Sequence, residues 1–397
     1  MVARAYCGFE AGGALGDAAS AVPAQTHNLS TGTSGWDTDT AVKRTGARSL
    51  RLLTGQLLDS TCEYKIVQFA TDGLTIYVQV AVRFSAIPSG TQLPILILQD
   101  TVPIAVLQLY ADVATQKFGL YVINTGGDIQ STTGIAANTW YLLTAVWKNV
   151  NGAVEKHLYV DGVLEASDTT AVVYNATLDR FFLGTNYAGA KVHSGCITYL
   201  DDLYLSDSSG SVNTGLPGDY KILPARPITG SQTHNDWTGT YADVDEVPSN
   251  EATDYINSTS SNGPLEESYP LETCATIGIP GDASIIAVSS WAVGLRNSGT
   301  GTDIDLGIVD SGGTSRWTDW SHTIETAWDK GTYFAARYDS ANPADSAAWE
   351  QSDFDAIEVA VRKAAAESAD FYVSTMLCEV VYEEAEAPPV TRRIFIT

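Results

Sequence analysis

The sequence predicts an all-β protein built from two antiparallel sandwiches in series. Charged side chains make up only 17% of the 397 residues, whereas glycine (34 residues) and aromatic residues (10%) are frequent. This composition is typical of β-sandwiches with many turns and not of helical bundles. Short segments of alternating apolar and polar residues recur along the chain, and no amphipathic helix longer than two turns is evident. A chain of this length can form two or three domains, each with its own core.

The first domain is expected over residues 1–207, where one predicted strand follows another. The segment LTIYVQVAVRF places Ile76, Val78, Val80 and Val82 on one face, which indicates a sheet with that face in a core. The other clear strands are Ser49–Leu53, Lys117–Ile123, Trp140–Lys148 and Glu155–Gly162. These strands predict an antiparallel sandwich or jelly roll.

The segment YLDDLYLSD predicts the last strand of this domain. Strict alternation puts Tyr199, Leu203 and Leu205 on one face and Leu200, Asp202 and Tyr204 on the other. The segment 208–241 is rich in Ser, Gly and Pro and predicts a linker, with KIL as its one strand candidate. We therefore expect a hinge between two modules here.

A second, smaller β-sandwich is expected over residues 242–384. Two hairpins are predicted in it, one joining 284–297 to 303–313 and the other joining 357–364 to 371–384. A proline-stiffened tail follows over residues 385–397. It carries a basic and apolar cluster that is a candidate anchor to a neighbouring protein: Arg392, Arg393, Ile394 and Phe395. The alternative is a terminal segment that is simply mobile.

The charge balance excludes two classes of partner. The formal net charge is -25 and the sequence pI is about 4.3. A surface this acidic repels phosphate backbones, so nucleic-acid binding is not expected. Polybasic attachment to a membrane surface is excluded for the same reason, and no apolar run is long enough to insert into a membrane. We expect no signal peptide, because the N-terminal segment MVARAYCGFEAGG has no apolar core.

Catalytic and zinc sites are not predicted. The five cysteines are far apart and form no CxxC pair, so buried thiols are expected instead of a zinc site. Retaining glycoside hydrolysis needs two carboxyl groups about 5 Å apart. The nearest acidic string, Asp243 to Glu246, has the wrong spacing and lies beside the linker. We therefore predict no catalytic residues and no resident cofactor.

Two kinds of binding site remain as candidates. Asp201 and Asp202 are candidate calcium ligands, because sandwich loops often supply carboxylates and backbone oxygens to Ca²⁺. The alternative is that these aspartates face solvent or cap a turn. Trp317, Trp320 and Tyr187 are candidate glycan-binding residues, because indole and phenol rings stack on sugar rings. The alternative for these rings is a place in a core or an interface.

Several strings in the first half resemble the concanavalin A-like, laminin-G-type lectin/glucanase sandwich. They are GARSLRL, TWYLLTAVWK, KHLYVDGVLEAS, RFFLGTN and GCITYLDDLYLSD, in that order. The resemblance implies a concanavalin A-like jelly roll for the first domain. It does not fix a function, because lectins, enzymes and structural modules share this fold.

The continuation across the linker is similar to a family of tailed-bacteriophage virion proteins. The relevant strings are DDLYLSDSSGSVNTGLPGD and the later VDEVPSNEATDY. The resemblance implies a non-enzymatic structural protein on the exterior of the virion, as a tail-associated fibre or a head decoration. It also implies synthesis in the host cytoplasm, exposure on the particle exterior, other virion proteins (tail or capsid) as partners, and homo-oligomers. Contact with host-surface glycans is a further expectation for the lectin-like domain.

Two other functions are compatible with the same residues. A free carbohydrate-binding protein would bind glycans without any particle. A glycoside hydrolase would release reducing ends from a polysaccharide, and the acidic string around Asp243 and Asp245 would then be its candidate site.

Overall fold

The computed structural model describes most of the chain. The described residues are 2–7, 36–46, 48–52, 61–90, 92–101, 105–122, 127–150, 153–170, 176–184, 196–212, 215–245, 254–258, 264–298, 304–318, 332–363 and 370–385. The chain is almost entirely β-structure, as the sequence predicts.

The first sandwich contains fourteen strands in its described part. They are β1 Val2–Cys7, β2 Trp36–Asp39, β3 Ser49–Leu52, β4 Thr61–Ala70, β5 Thr75–Phe84, β6 Leu93–Asp100, β7 Ala105–Asp112, β8 Lys117–Val122, β9 Ile129–Gly134, β10 Trp140–Val150, β11 Ala153–Val160, β12 Val163–Thr170, β13 Thr177–Gly184 and β14 Thr198–Asp207. One sheet has the order β12-β11-β10-β5-β14-β3-β2, with β1 also paired to β14. The other sheet has the order β4-β13-β6-β7-β8-β9. We call them the first inner sheet and the first outer sheet.

The core of this sandwich lies between these two sheets. The alternation predicted for β5 is confirmed, because Ile76, Val78, Val80 and Val82 are all buried in one cluster. Trp147 on β10 is the largest side chain that is fully buried there. The apolar residues of the outer sheet that join the core include Leu96, Leu98, Leu107, Leu109, Phe118, Leu120, Phe181 and Leu183. Where the alternation is regular, the residue between two of them lies on the opposite, outward face, as Ile97 does between Leu96 and Leu98 and Gln108 between Leu107 and Leu109.

The second sandwich begins earlier than the sequence suggests. Its described strands are β15 Tyr220–Ala225, β16 Ile256–Asn257, β17 Leu265–Pro270, β18 Ser284–Ser298, β19 Ile304–Val309, β20 Ser315–Thr318, β21 Thr332–Asp339, β22 Glu358–Lys363 and β23 Asp370–Glu383. Three single-turn helices accompany them: a 3₁₀ turn at Tyr241–Asp243, α1 Cys274–Ile277 and α2 Gln351–Phe354. The KIL segment lies inside β15, which pairs with β23. The predicted linker thus contains a strand of the second sandwich.

The two predicted hairpins of this domain are wrong. β18 pairs with β21 and β23 in a five-stranded sheet, whereas β19 pairs with β20 and β22 in a four-stranded sheet. β22 and β23 are divided between the same two sheets. Each connection crosses from one sheet to the other, because both strands can then bury a face in the core between the sheets. We call the five-stranded sheet the second inner sheet and the four-stranded sheet the second outer sheet.

The inner sheets of the two sandwiches pack against each other. A separate apolar cluster joins Tyr77 and Tyr204 of the first inner sheet to residues of the second. Those residues are Tyr220, Ile222, Ile286, Ala287 and Val381. The two outer sheets therefore lie on opposite sides of the molecule.

The expectation of buried thiols is confirmed where the structure describes the side chains. Cys196, Cys274 and Cys378 are buried and unpaired. Burial raises the pKa of the Cys274 thiol to about 12.

Candidate functional site

The structure places Asp201 and Asp202 in a β-bulge of β14. The pairing with β5 slips between Asp201 and Tyr204, and Asp202 has a φ of 46°. Aspartate tolerates this left-handed conformation better than most residues. The extra residue shifts the alternation, so Leu200 packs in the same core as Leu203 and Leu205. The strict alternation predicted for this strand is therefore wrong.

The carboxylate of Asp201 holds a loop of the first domain. Its Oδ2 accepts hydrogen bonds from the backbone N–H groups of Arg44, at 2.8 Å, and Thr45, at 3.2 Å. Its Oδ1 accepts from the N–H of Asp202 at 2.9 Å. Both aspartates are fully buried. The loop around Arg44 is thus fixed against the bulge.

The carboxylate of Asp202 connects the two sandwiches. Its Oδ2 accepts from Arg44 Nη1 at 2.6 Å, and its Oδ1 accepts from Thr45 Oγ1 at 2.5 Å and from the N–H of Ile222 at 2.9 Å. Arg44 also donates to Asp219 and to the carbonyl of Tyr220. All four oxygens of the two aspartates are therefore occupied by protein donors.

Burial and charge act in opposite directions on this ion pair. Burial raises the pKa of Asp202, and the Arg44 guanidinium opposes that rise. Burial alone would lower the pKa of Arg44, but the carboxylates of Asp202 and Asp219 raise it overall. A calcium ion at Asp201 and Asp202 would have to displace Arg44 and Thr45. No group of three or more metal-ligating side chains occurs among the described residues.

Trp317 lies on β20 at the edge of the second outer sheet. The guanidinium carbon of Arg362 lies 4.9 Å from the centre of its ring, and the ring of His234 is 6.2 Å away, centre to centre. The Cε3 edge of the indole covers Gly307, where a Cβ atom would come within 2.8 Å of it. A glycan that stacked on Trp317 would therefore compete with Arg362.

The other predicted binding and anchoring residues lie outside the described residues. They are Trp320, Tyr187, Arg392, Arg393, Ile394 and Phe395. Their roles remain predictions.

The outward face of the first outer sheet carries a row of polar side chains that sequence reasoning missed. Gln108 on β7 pairs with Tyr121 on β8 and with Ile97 on β6, and Arg180 on β13 pairs with Gln99 on β6. We call this set the outer-sheet row. Within the described part of the chain, the side chains of Gln99, Gln108 and Tyr121 have no hydrogen-bond partner. Gln108 and Tyr121 are partly exposed and thus available to a ligand, whereas Gln99 is buried.

The side chains of the neighbouring row are held in place by close packing and hydrogen bonds. Tyr110 on β7 lies against Gly119 on β8, and a Cβ atom at Gly119 would come within 2.2 Å of the phenol ring. The Tyr110 hydroxyl donates to Asp128 Oδ2 at 2.6 Å, and Gln130 Nε2 donates to Asp112 Oδ2 at 2.5 Å. Burial raises the pKa of Tyr110 above its usual range. Both carboxylates are therefore engaged in holding the face.

The chemistry of the outer-sheet row suits a hydroxylated ligand. The two amides each offer a donor and an acceptor, and Tyr121 offers a ring and a hydroxyl. Ile97 and Phe182 lie beside them, paired across β6 and β13, but both are buried, so the exposed ring at this face is that of Tyr121. Sugar-binding sites commonly combine a small number of polar groups with aromatic and apolar side chains. The signal in the sequence was the interruption of two apolar strands by Gln99 and Gln108.

Acid pH should lower the stability of the first sandwich through Asp112 and Glu165. Burial would raise the pKa of Asp112, but hydrogen bonds from Thr115, Ala114 and Gln130 lower it overall. Hydrogen bonds from the hydroxyls of Thr132 and Thr133 lower the pKa of Glu165. A carboxyl group whose pKa is lowered by folding stabilises the protein above its ordinary pKa of about 4, and this contribution is lost as pH falls through the folded value.

We expect Glu165→Gln to flatten the loss of stability between pH 5 and pH 3. Denaturant unfolding at several pH values measures this slope. Asp72→Asn, at an exposed turn residue, serves as the control and should leave the slope unchanged. Equal slopes for Glu165→Gln and the wild type would show that the Glu165 carboxylate does not stabilise the folded protein.

Comparison with known proteins identifies the first sandwich. Residues 66–212 match the family model of the concanavalin A-like lectin/glucanases superfamily. The first sandwich has a concanavalin A-like fold. No curated protein sequence matches the chain. In the described part of the chain, no helix is long and apolar enough to cross a membrane.

Solved structures similar to this chain cover less than half of it. A sialidase shows 15% identity and a TM-score of 0.31 over 43% of this chain, which spans only 17% of the sialidase. The cellulose-induced protein Cip1 shows 13% identity and a TM-score of 0.33, over 46% of this chain and 87% of Cip1. The ligand-binding domain of botulinum neurotoxin serotype D, solved with N-acetylneuraminic acid, shows 13% identity and a TM-score of 0.31, over 40% of this chain and 38% of that one.

Proposed function

We propose that this chain is a non-enzymatic structural protein on the exterior of a tailed-bacteriophage virion, where its concanavalin A-like domain contacts host-surface glycans. The observation that carries the proposal is the outer-sheet row. It combines the unpartnered amide of Gln108 with the partly exposed ring and hydroxyl of Tyr121, on the face that points away from the second sandwich.

The virion part of the proposal is supported by the string that resembles phage proteins. Its aspartates Asp201, Asp202 and Asp219 all contact Arg44 or its loop, and the string ends where β15 begins. These residues therefore build a junction between two sandwiches. A motif that builds a junction is expected in a structural protein made of modules, whereas an active-site motif would place the same carboxylates in a cleft.

The absence of catalysis is supported by the state of the nearby carboxylates. Asp112 and Asp128, two carboxylates beside the outer-sheet row, are engaged with Gln130 and Tyr110. Neither forms a pair of acids facing an open site. Asp243 of the acidic string is also engaged, since it accepts hydrogen bonds from the N–H and hydroxyl of Thr240 at the start of a 3₁₀ turn.

The second sandwich is the part that we propose to dock on tail or capsid proteins. Residues 220–385 contain 27 acidic and 8 basic side chains, so this domain carries most of the negative charge of the chain. Such a surface selects basic or polar protein partners and keeps the chain away from packaged DNA. The tail with Arg392 and Arg393 is a further docking element, and docking around a particle implies several copies.

Localisation on particles tests this proposal. An antibody against the full chain should label the exterior of purified tailed particles in negative-stain electron microscopy. Labelling of the head would indicate a decoration protein, and labelling of the tail would indicate a fibre or a minor tail protein. Secretion of the chain as a free protein that binds glycans, with no labelled particles, would favour the free lectin instead.

A further inference from the structure

We propose that the junction between the two sandwiches is a fixed-angle joint locked by Arg44, so that both sandwiches move as one body. The joint consists of Arg44, Thr45, Asp201, Asp202 and the segment 218–222. This inference goes beyond the proposed function, because it holds whether or not the chain binds a glycan or a particle.

Opening the joint would separate buried charges from their partners. Asp202 is fully buried, and the Arg44 side chain is 15% exposed. Rotation of the second sandwich would withdraw the N–H of Ile222 and the carbonyl of Tyr220 from this pair. The buried charges would then lose partners that water cannot replace without opening the whole interface.

An apolar contact surrounds the ion pair. Tyr204 of β14 and Tyr220 of β15 meet edge to face, with ring centres 5.0 Å apart and an interplanar angle of 89°. Ile222, Ile286 and Val381 complete the cluster and are 0–3% exposed. Such burial on both sides of a junction opposes bending in any direction.

The chain between the two sandwiches is hydrogen-bonded to β5 near its start and near its end. At its start, Ser208 exchanges hydrogen bonds with Thr75 of β5, at 3.0 Å and 2.9 Å. At its end, the carbonyl of Gly218 accepts from Gln79 Nε2 of β5 at 2.6 Å. The connection is thus attached to one strand at both ends. A hinge needs a few backbone positions that are free to change φ and ψ, and the attachments remove that freedom at both ends of the connection.

The consequence is a fixed direction for the outer-sheet row. The first inner sheet faces the second sandwich, and the row lies on the sheet beyond the first core. A rigid joint therefore holds the row pointing away from the second sandwich at all times.

The experiment compares Arg44→Met with Arg51→Met in the full chain. Arg51 is a matched control, because it forms an ion pair with Asp39 at 3.1 Å inside the first sandwich. We expect the wild type and Arg51→Met to show one calorimetric transition and slow proteolysis in the segment 208–219. For Arg44→Met we expect a second transition, a larger radius of gyration in small-angle X-ray scattering, and cleavage in 208–219 that is faster by about a hundredfold.

Two results would overturn the proposal. One is a wild type whose sandwiches unfold in separate transitions, or whose scattering requires a broad range of orientations. The other is cleavage of Arg44→Met at the rate of Arg51→Met. If Arg44→Met does not fold, Asp202→Asn replaces it, since it keeps polar partners for Thr45 while removing the charge. Cleavage of Asp202→Asn above the wild-type rate then supports the proposal, and an unchanged rate contradicts it.

Discussion

Replacing Asp202 with alanine should lower the free energy of unfolding by about 3–5 kcal/mol. The change leaves the Ile222 N–H without its acceptor, leaves the Thr45 hydroxyl only the carbonyl of Ile222 at 3.3 Å, and removes one of the two carboxylates that pair with Arg44. It also puts alanine at a φ of 46°, a conformation that costs a residue with a Cβ atom about 1–2 kcal/mol. Urea or guanidinium unfolding, followed by tryptophan fluorescence, measures the loss.

Asp202→Asn is the matched control for this prediction. Asparagine tolerates the same backbone conformation and keeps an acceptor for Ile222, while it removes the buried charge. We expect it to cost less than half as much as alanine. Equal stability of the alanine variant and the wild type would show that the joint contributes nothing to folding.

Replacing Gly119 with alanine should destabilise the first sandwich by about 1–3 kcal/mol and disturb the binding face. The new Cβ atom would overlap the ring of Tyr110, whose atoms lie 2.2–2.5 Å from that position. Tyr110 is 1% exposed, so its ring cannot move aside without losing packing and its hydrogen bond to Asp128. Denaturant unfolding and near-ultraviolet circular dichroism report both effects.

Gly134→Ala is the control for Gly119→Ala. Gly134 lies at the end of β9 in the same sheet, and a Cβ atom there meets only the carbonyl of Gln116 at 3.8 Å, an ordinary contact. We expect that variant to unfold within about 0.5 kcal/mol of the wild type. If both variants had the same stability, Tyr110 would not be held against Gly119 in solution.

The sequence was sufficient for the strands and for the class of the fold. The alternation in β5 predicts both its limits and its buried face, because period-2 burial depends only on local sequence. Sheet membership could not be read in the same way. β18 and β19 alternate like the two strands of a hairpin, yet they lie in different sheets, because the length of a connection does not distinguish a hairpin from a crossover between sheets.

The junction shows a second limit of sequence reasoning. One bulge at Asp202 reverses the predicted faces for the rest of β14, and nothing in the string YLDDLYLSD marks where the extra residue lies. The partner of the two aspartates, Arg44, is more than 150 residues away in sequence. A segment that reads as an acidic site followed by a hinge therefore became a locked joint.

The binding face was only partly predictable. Trp317 and the other aromatic residues were chosen because rings stack on sugars, but Arg362 already covers the Trp317 ring. Gln99 and Gln108 appeared as polar interruptions in buried strands. Their alignment with Arg180 and Tyr121 depends on registers across four strands.

Glycan binding by the full-length chain tests the central claim most directly. A glycan array followed by calorimetry should show selective binding to at least one host-surface glycan, with no release of reducing ends or other products from it. Gln108→Ala combined with Tyr121→Ala should weaken binding about tenfold or more, as loss of two hydrogen-bonding groups implies, while Trp317→Ala should leave the affinity within about twofold. Binding that is lost in Trp317→Ala but kept in the Gln108 and Tyr121 double variant would contradict the account, as would turnover of the bound glycan.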